Sequence, residues 1–541
     1  MGGRKLVAVV VLLVVVVRTP TMATPRTALN DEVVICVKPG IARETIQEVC
    51  ERAGCTISRR MEFTMHEYLV SVPDPDGDAV AAAVEALSHC HEIEWACANI
   101  VFTPRLRRAP AATERAAFDL ARSVSTAEEP NAPGLFPSDP YFPNQWHLHN
   151  TGQSGGTPDA DINGPEAWEI TTGDPNVIVA VLDYGVDSTH PDLAENLVPG
   201  YDFYDDDEQP EPVLDHRVNA HGTACAGLIA ARGNNELGVA GVTWDCSVMP
   251  MRIGGFRASG SEYKVTAAGL ATALRWAAAQ GVDIFSSSPG WLDSPIIHSA
   301  IMDVTKVGGI GREGRGALMF LTVDNGGAQI EAGWAETYPE VIAVGATDHK
   351  DQRCYYSNYG PELDVVAPSA PGFTTTVWAQ TNGEGWLWTT DIAGYGGYDS
   401  YPDVLDYATF GGTSGACPIA AGVAALILSV EPELTGDEVR HFLEHSAKDL
   451  GDPGWDEYYG WGRVDARAAL DMVLAKRADL NNDWRVDLDD LVILIESWGT
   501  DDVFADIAPA AERDGFVDGQ DLELLMQYWQ VEIPEMDAGA E

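Results

Sequence analysis

The rhythm of apolar and polar positions changes several times along the chain. An unbroken apolar run from Leu6 to Val17 follows Arg4 and Lys5 and gives way to Thr21-Met22-Ala23. A basic start, a short apolar core and small residues at its end predict a secretory signal over residues 1–23. The run falls short of the about 20 apolar residues that a membrane span needs, and no later stretch reads as one, so no transmembrane span is expected after signal removal. From 31 to 103, short apolar strands (Val33–Val37, Tyr68–Val72) alternate with helix-patterned stretches (Ala42–Arg52, Ala79–Leu87). That alternation predicts a small open α+β sandwich, assigned to residues 24–103. Residues 104–137, rich in Ala, Pro and Glu, carry no sustained apolar period and read as an exposed linker. The cluster Arg105-Leu106-Arg107-Arg108 at its start offers a processing site.

Between 138 and 475 the apolar runs lose their polar alternation. Val177–Leu182 reads as a buried strand, Thr223–Ala231 as a helix and Asp283–Ser287 as another strand end. Strands that are apolar throughout suit a parallel sheet with both faces covered, so the fold class is α/β with helices on both sides of the sheet. In such open sheets, functional residues fall at strand ends and helix starts.

The last rhythm is a repeat. Asp483, Asp487, Asp490 and Trp498 recur 31 residues on at Asp514, Asp518, Asp521 and Trp529, and each copy leads into an apolar helix, Leu491–Trp498 and Leu522–Trp529. In the first copy Asp479, Asn481, Asp483, Asp487 and Asp490 occupy positions 1, 3, 5, 9 and 12 of a calcium-loop spacing. In the second, the same count puts Ala510 in the first ligand slot, leaving Glu512 or Asp506 to compensate. Residues 476–532 form this small helical pair and 533–541 an acidic tail.

Charge narrows the partners. With 33 Lys and Arg against 83 Asp and Glu, the formal charge of the 541-residue chain is −50. Such a surface repels phosphate, which excludes nucleic acid as a natural partner, and attracts calcium and basic peptides. The nine cysteines, Cys36, Cys50, Cys55, Cys90, Cys97, Cys225, Cys246, Cys354 and Cys417, are odd in number, so one thiol at least stays unpaired in the monomer, and spacing leaves connectivity open.

Three glycine-framed segments carry the chemistry: Val181-Leu182-Asp183-Tyr184-Gly185, His221-Gly222-Thr223-Ala224-Cys225-Ala226-Gly227 and Gly411-Gly412-Thr413-Ser414-Gly415-Ala416-Cys417-Pro418. A serine hydroxyl needs an imidazole to take its proton and a carboxylate to hold the imidazole's tautomer. Asp183, His221 and Ser414 supply these in the order acid, base, nucleophile. Cys225 and Cys417, one helical turn after His221 and Ser414, read as packing residues.

That order, with these flanks, resembles the subtilisin-like (subtilase) serine proteases over roughly residues 138–475. The resemblance implies a serine endopeptidase that hydrolyses peptide bonds through an acyl-enzyme on Ser414, made as a precursor whose residues 24–103 are a propeptide that aids folding and inhibits. The family's oxyanion asparagine matches Asn325 in Leu321-Thr322-Val323-Asp324-Asn325-Gly326-Gly327, with Asp324 where the pattern has glycine. A carboxylate turned toward that site opposes the charge it must stabilise, so a non-catalytic subtilase-fold binding or assembly protein is the alternative. Asp283-Ile284-Phe285-Ser286-Ser287-Ser288-Pro289-Gly290 resembles the strand that pairs with substrate, which assigns Ser286, Ser288 and Gly290 to substrate binding. That strand, Cys225, the segment Asp139–Trp146 and the insertion Thr389–Phe410 are similar to the kexin-like bacterial branch, without its β-domain. That branch prefers basic residues before the cut, and Asp293 is a source of negative charge there.

Subtilases commonly bind calcium near the start of the catalytic domain; the matching residues are Asp139, Asp192 and Asn235, with carbonyls near Gly233, Leu237 and Val239. The duplicated tail resembles a dockerin, which implies calcium at Asp479, Asn481, Asp483, Asp487, Asp490, Asp514, Asp518 and Asp521 and a cohesin-like domain as candidate partner. The expected protein is secreted, with protein or peptide substrates, its own propeptide as a partner, and anchoring at a cell surface or complex through the tail.

Overall fold

The computed structural model describes residues 32–61, 64, 66–72, 77–99, 135–372, 384–394, 397–398, 406–510 and 513–536. The signal segment, most of the linker with its Arg105–Arg108 cluster, Glu512 and the end of the acidic tail lie outside the described residues.

Residues 32–99 form a four-stranded antiparallel sheet in the order β2-β3-β1-β4, built from β1 (Glu32–Val37), β2 (Thr56–Arg60), β3 (Glu67–Ser71) and β4 (Ile93–Ala98). The helices Arg43–Arg52 and Gly77–Leu87 cover one face, where Val33, Ile35, Ile46, Val49 and Val70 make a small core. The alternate residues Val34 and Leu69, with Met61, face the other way and join a core shared with the helices Ala267–Ala279 and Pro295–Thr305 of the following region. Period-two alternation thus gives this sheet two buried faces.

Two polar ties fix that junction. Both carboxylate oxygens of the buried Glu67 accept from the Arg275 guanidinium at 2.8 and 3.1 Å, and the Ser299 hydroxyl adds a third bond at 2.8 Å. The Asn99 side-chain oxygen accepts the Ala268 N–H at 3.1 Å, satisfying one of the donors that a helix start leaves open.

The central sheet has seven strands, all parallel, in the order β13-β12-β11-β10-β5-β7-β6. Its members are β5 (Ile178–Asp183), β6 (Tyr201–Asp202), β7 (Ser247–Arg252), β10 (Ile284–Ser287), β11 (Leu318–Thr322), β12 (Ile342–Thr347) and β13 (Val365–Pro368). Helices Ala267–Ala279 and Pro295–Thr305 cover one face; His221–Ala230, Thr413–Val430 and Ala466–Ala478 cover the other. The expected strand and helix near Val177 and Thr223 are in place, shifted by one or two residues. Two antiparallel hairpins flank the sheet, β8 (Gly254–Phe256) with β9 (Glu262–Lys264), and β14 (Leu387–Thr390) with β15 (Tyr407–Phe410), the latter bounding the insertion read from the sequence.

Thr413–Val430 is long and apolar enough to cross a membrane by length and composition, against the sequence reading that no later stretch is, but it is buried as the central core helix. All nine cysteines are unpaired. The C-terminal helices, Leu488–Glu496 and Gly519–Gln527, share the core of the central-sheet region: Leu494, Ile507, Val517 and Leu525 belong to one cluster with Leu470, Val473 and Leu474. The helix Ala466–Ala478 runs through the boundary expected at residue 475.

Candidate active site

Asp183 ends β5, where the strand's apolar residues bring its carboxylate out at the sheet edge, 1% exposed. His221 starts the next helix, and its Nδ1 lies 2.9 and 2.8 Å from the two Asp183 oxygens. The Tyr184 N–H donates to the same carboxylate at 2.8 Å, which fixes its plane. Gly222 allows this approach: a Cβ there would stand 2.3 Å from the Gly185 carbonyl oxygen and 2.9 Å from the Asp183 Cβ. With Nδ1 turned to Asp183, the opposite ring nitrogen is the one available as base.

Ser414 lies in the first turn of Thr413–Val430, after Gly412 in a positive-φ conformation, and borders the same cleft as His221. Pro418 sits four residues on and has no N–H, so the Ser414 carbonyl lacks its helical donor. The Ser288 hydroxyl supplies one at 3.2 Å and the Cys225 thiol a second contact at 3.6 Å. Cys225 also sits 3.8 Å from His221 Nδ1, and burial, with Asp183 beside it, pushes its thiol well up. Burial pushes Cys417 up to about 12. Both sulfurs are therefore neutral packing groups.

Asn325 follows β11 and borders the cleft. Its side-chain oxygen accepts from the Thr413 N–H at 2.9 Å and hydroxyl at 3.2 Å. A backbone N–H can only donate, so the oxygen must face Thr413 and the amide NH₂ is turned away from it. Asp324 adopts φ 69°, the left-handed conformation for which glycine is the default and Asp one of the tolerated residues. Its carboxylate accepts the Asn325 N–H at 2.7 Å and lies on the cleft wall.

Of the residues read as substrate-binding, Ser288 and Gly290 border the cleft with Pro289. Ser286 does not: it is 2% exposed within β10, its hydroxyl 3.8 Å from the Cys417 sulfur. Asp293 is exposed, accepts the Tyr338 hydroxyl, and donates its N–H to the Gly333 carbonyl at 2.8 Å, next to the cleft-lining Trp334. Negative charge on the cleft wall comes from Asp324, which the sequence pattern marks, and from Glu336, which no local pattern marks. Glu336 is buried with one carboxylate oxygen unpartnered, and burial, reinforced by Asp324 and Glu362, pushes it up to about 8.

A second group without a motif lies beneath the cleft. The buried Lys264 ammonium donates to the Gly290 carbonyl at 3.4 Å and stands 3.7 Å from Glu262, which accepts the Tyr184 hydroxyl at 2.7 Å. Burial lowers the Lys264 pKa and raises Glu262 to about 7, while the charges of Asp183 and Asp324 favour the ammonium.

Asp139, Asp192 and Asn235 come together in the loops flanking the His221–Ala230 helix. The Asn235 amide donates to Asp192 at 2.7 Å, and Asp192 takes the Val239 N–H at 3.0 Å. Asp139 accepts the Asn234 N–H at 2.6 Å, while its other oxygen is buried without a partner near Asp192. Two buried carboxylates and an orphaned oxygen fit a hard cation with oxygen ligands. In the tail, Asp490 is fully buried and accepts the N–H groups of Leu480, Asn481 and Asp487, folding the first loop around Asp479, Asn481, Asp483 and Asp487. Lys476 donates to Asp479 there at 2.9 Å. Asp514, Asp518 and Asp521 line the second loop, Asp521 accepting from Asp518 at 2.7 Å.

Residues 174–462 match the model of the Subtilase family. A calcium-dependent protease of Trichormus variabilis is 32% identical over 79% of this chain and 61% of its own length. The chain thus spans less than two thirds of that relative. Thermitase of Thermoactinomyces vulgaris is 30% identical over 62% of this chain and 99% of its own. Among solved structures, fervidolysin of Fervidobacterium pennivorans has the same fold, with a TM-score of 0.59 at 21% identity, covering 82% of this chain and 61% of that one.

Proposed function

Because this chain belongs to the subtilase family, we propose that it is a calcium-dependent serine endopeptidase that works through an acyl-enzyme on Ser414. The carrying observation is the shared cleft of His221, already bound to Asp183, with Ser414 and Asn325. In this reading the Ser414 Oγ attacks the peptide carbonyl carbon and its proton passes to the free His221 nitrogen. The oxyanion accepts from the Asn325 amide and the Ser414 backbone N–H, and the tetrahedral adduct collapses as His221 returns the proton to the leaving amine. Water repeats the sequence and releases the acid.

Calcium belongs to the same reading. Asp139, Asp192 and Asn235 hold one ion and the duplicated loops hold others, and the name of the Trichormus variabilis relative agrees. The ions supply positive charge that ties acidic loops together; the chemistry at the scissile bond is the chain's own.

The substrate strand is Ser288 to Gly290, and the kexin-like reading gives a preference for a basic residue before the cut, with Glu336 and Asp324 as its counter-charges. Residues 32–99, gripped through Glu67 and Arg275, act as the propeptide of a secreted precursor. The tail serves as a dockerin-like anchor for a cohesin-like domain. Leu488, Val492 and Ile495, one exposed face of a helix, together with the exposed Phe504, offer that partner an apolar patch.

Asp324 on the cleft wall favours the second reading, a subtilase-fold assembly protein without turnover. A serine-directed fluorophosphonate separates the two: the wild type incorporates label and Ser414→Ala does not, whereas an unlabelled wild type overturns the protease.

A further inference from the structure

The two tail loops are related by hydrogen bonds as well as by sequence, and the two relations disagree at one ligand. In the first loop one oxygen of Asp490 accepts the N–H groups of Leu480 and Asn481, the two residues after Asp479. In the second, one oxygen of Asp521 accepts those of Ile507 and Ala508, the two residues after Asp506. At the far side of each loop, the Trp484 N–H donates to Asp479 at 2.9 Å and the Gly515 N–H donates to Asp506 at 2.9 Å. Trp484 and Gly515 are 31 residues apart, as the repeat demands, whereas Asp479 and Asp506 are 27 apart. The second loop therefore carries four extra residues between Ala508 and Arg513, and the count of 31 puts Ala510 in the place that Asp506 fills. Ala510 is turned elsewhere: its carbonyl accepts from Arg477 at 2.8 Å.

We propose that Asp506 is the first ligand of a calcium site in the second loop, with Asp514, Asp518 and Asp521. The inference rests on the reading that the tail repeat binds calcium. Independent of the loop's bonding pattern, Asp506 is 3% exposed and its second carboxylate oxygen has no hydrogen-bond partner. The charges of Asp521 and Asp514 act on it, opposed by that of Arg513, whose ion pair is with Glu431. In the first loop the matching carboxylate of Asp479 also holds the Lys476 ammonium. No Lys or Arg is paired with Asp506, Asp514, Asp518 or Asp521 among the described residues. A buried carboxylate beside two others is costly unless a cation compensates it. Three oxygens drawn from Asp506, Asp514 and Asp518 with the buried Asp521 are the hard, anionic donors that calcium takes in preference to softer metals.

The test is a calcium count by native mass spectrometry and titration calorimetry on the full chain carrying Ser414→Ala, so that self-digestion does not intervene. Asp506→Ala is expected to lose one bound calcium relative to this parent, Asp514→Ala to lose the same one, and Ala510→Ser to lose none. Asp506→Asn keeps the acceptor for Gly515; it should melt with the parent in chelator and bind the ion at least 10-fold more weakly. Loss of a calcium with Asp514→Ala but not with Asp506→Ala overturns the assignment and leaves calcium in the tail standing. If neither variant loses an ion, the assignment and calcium in the second loop fall together.

Discussion

The Ser288 hydroxyl donates to the Ser414 carbonyl at 3.2 Å, filling the place of the N–H that Pro418 lacks. A residue of the proposed substrate strand thereby holds the backbone of the proposed nucleophile. Ser288→Ala should cost about 1 kcal/mol of stability, the net worth of one such bond. In a Pro418→Ala background, where residue 418 regains its N–H, the same change should cost less. Melting curves of the four proteins close the cycle, and equal costs in both backgrounds would refute the coupling.

Asp183 holds His221 through both oxygens and is itself fixed by the Tyr184 N–H. Asp183→Asn replaces an acceptor with a donor and favours the wrong imidazole tautomer. Turnover of a peptide substrate should fall by roughly 10⁴-fold with the fold intact.

The Asn325 side chain is held by Thr413, the residue before Ser414, and in the proposed reading its amide meets the oxyanion. Asn325→Ala should lower kcat by roughly 100-fold to 1,000-fold and leave KM nearly unchanged, since the bond forms only as the oxyanion develops. An equal rise in KM would mean that it serves ground-state binding instead.

Lys264 and Glu262 are buried together, so removing one leaves the other uncompensated. Lys264→Met should destabilise by about 3 kcal/mol, and Glu262→Gln added to it should recover much of that loss. The single variant should also raise KM, because the Gly290 carbonyl loses its donor.

Glu336 has a testable sign. Its carboxyl is held up to about 8 against an ordinary 4.5, so the native protein binds the extra proton and loses stability as pH rises through that interval. Glu336→Gln should remove this loss, melting higher than wild type at pH 9 and much like it at pH 5. In the proposed reading, preference for a basic over a neutral residue before the cut grows as pH passes about 8, and the variant abolishes that growth.

Much of this was legible in the residues because the parallel sheet and the reactive groups are written in local patterns. Val177–Leu182 reads as a strand since every position is apolar, and Asp183 follows at its end. The helix expected from Leu491 begins earlier, at Leu488, because Asp487 and Asp490 cap it reciprocally; a reading that waits for apolar period misses a polar first turn. Glu336 reaches the cleft and Lys264 the Gly290 carbonyl through tertiary folding alone, and no spacing marks them. Asp293 is near Gly290 in sequence, but only the fold shows that its carboxylate accepts the Tyr338 hydroxyl.

The helix Ala466–Ala478 passes without a break from the catalytic core toward the tail, and Arg477 at its end grips the Val430 and Ala510 carbonyls together. No hinge separates blade from handle. In the proposed reading, a partner that grasps the last two helices also decides which way the cleft looks, so reach is set by slack in the mooring rather than by any swing within the chain.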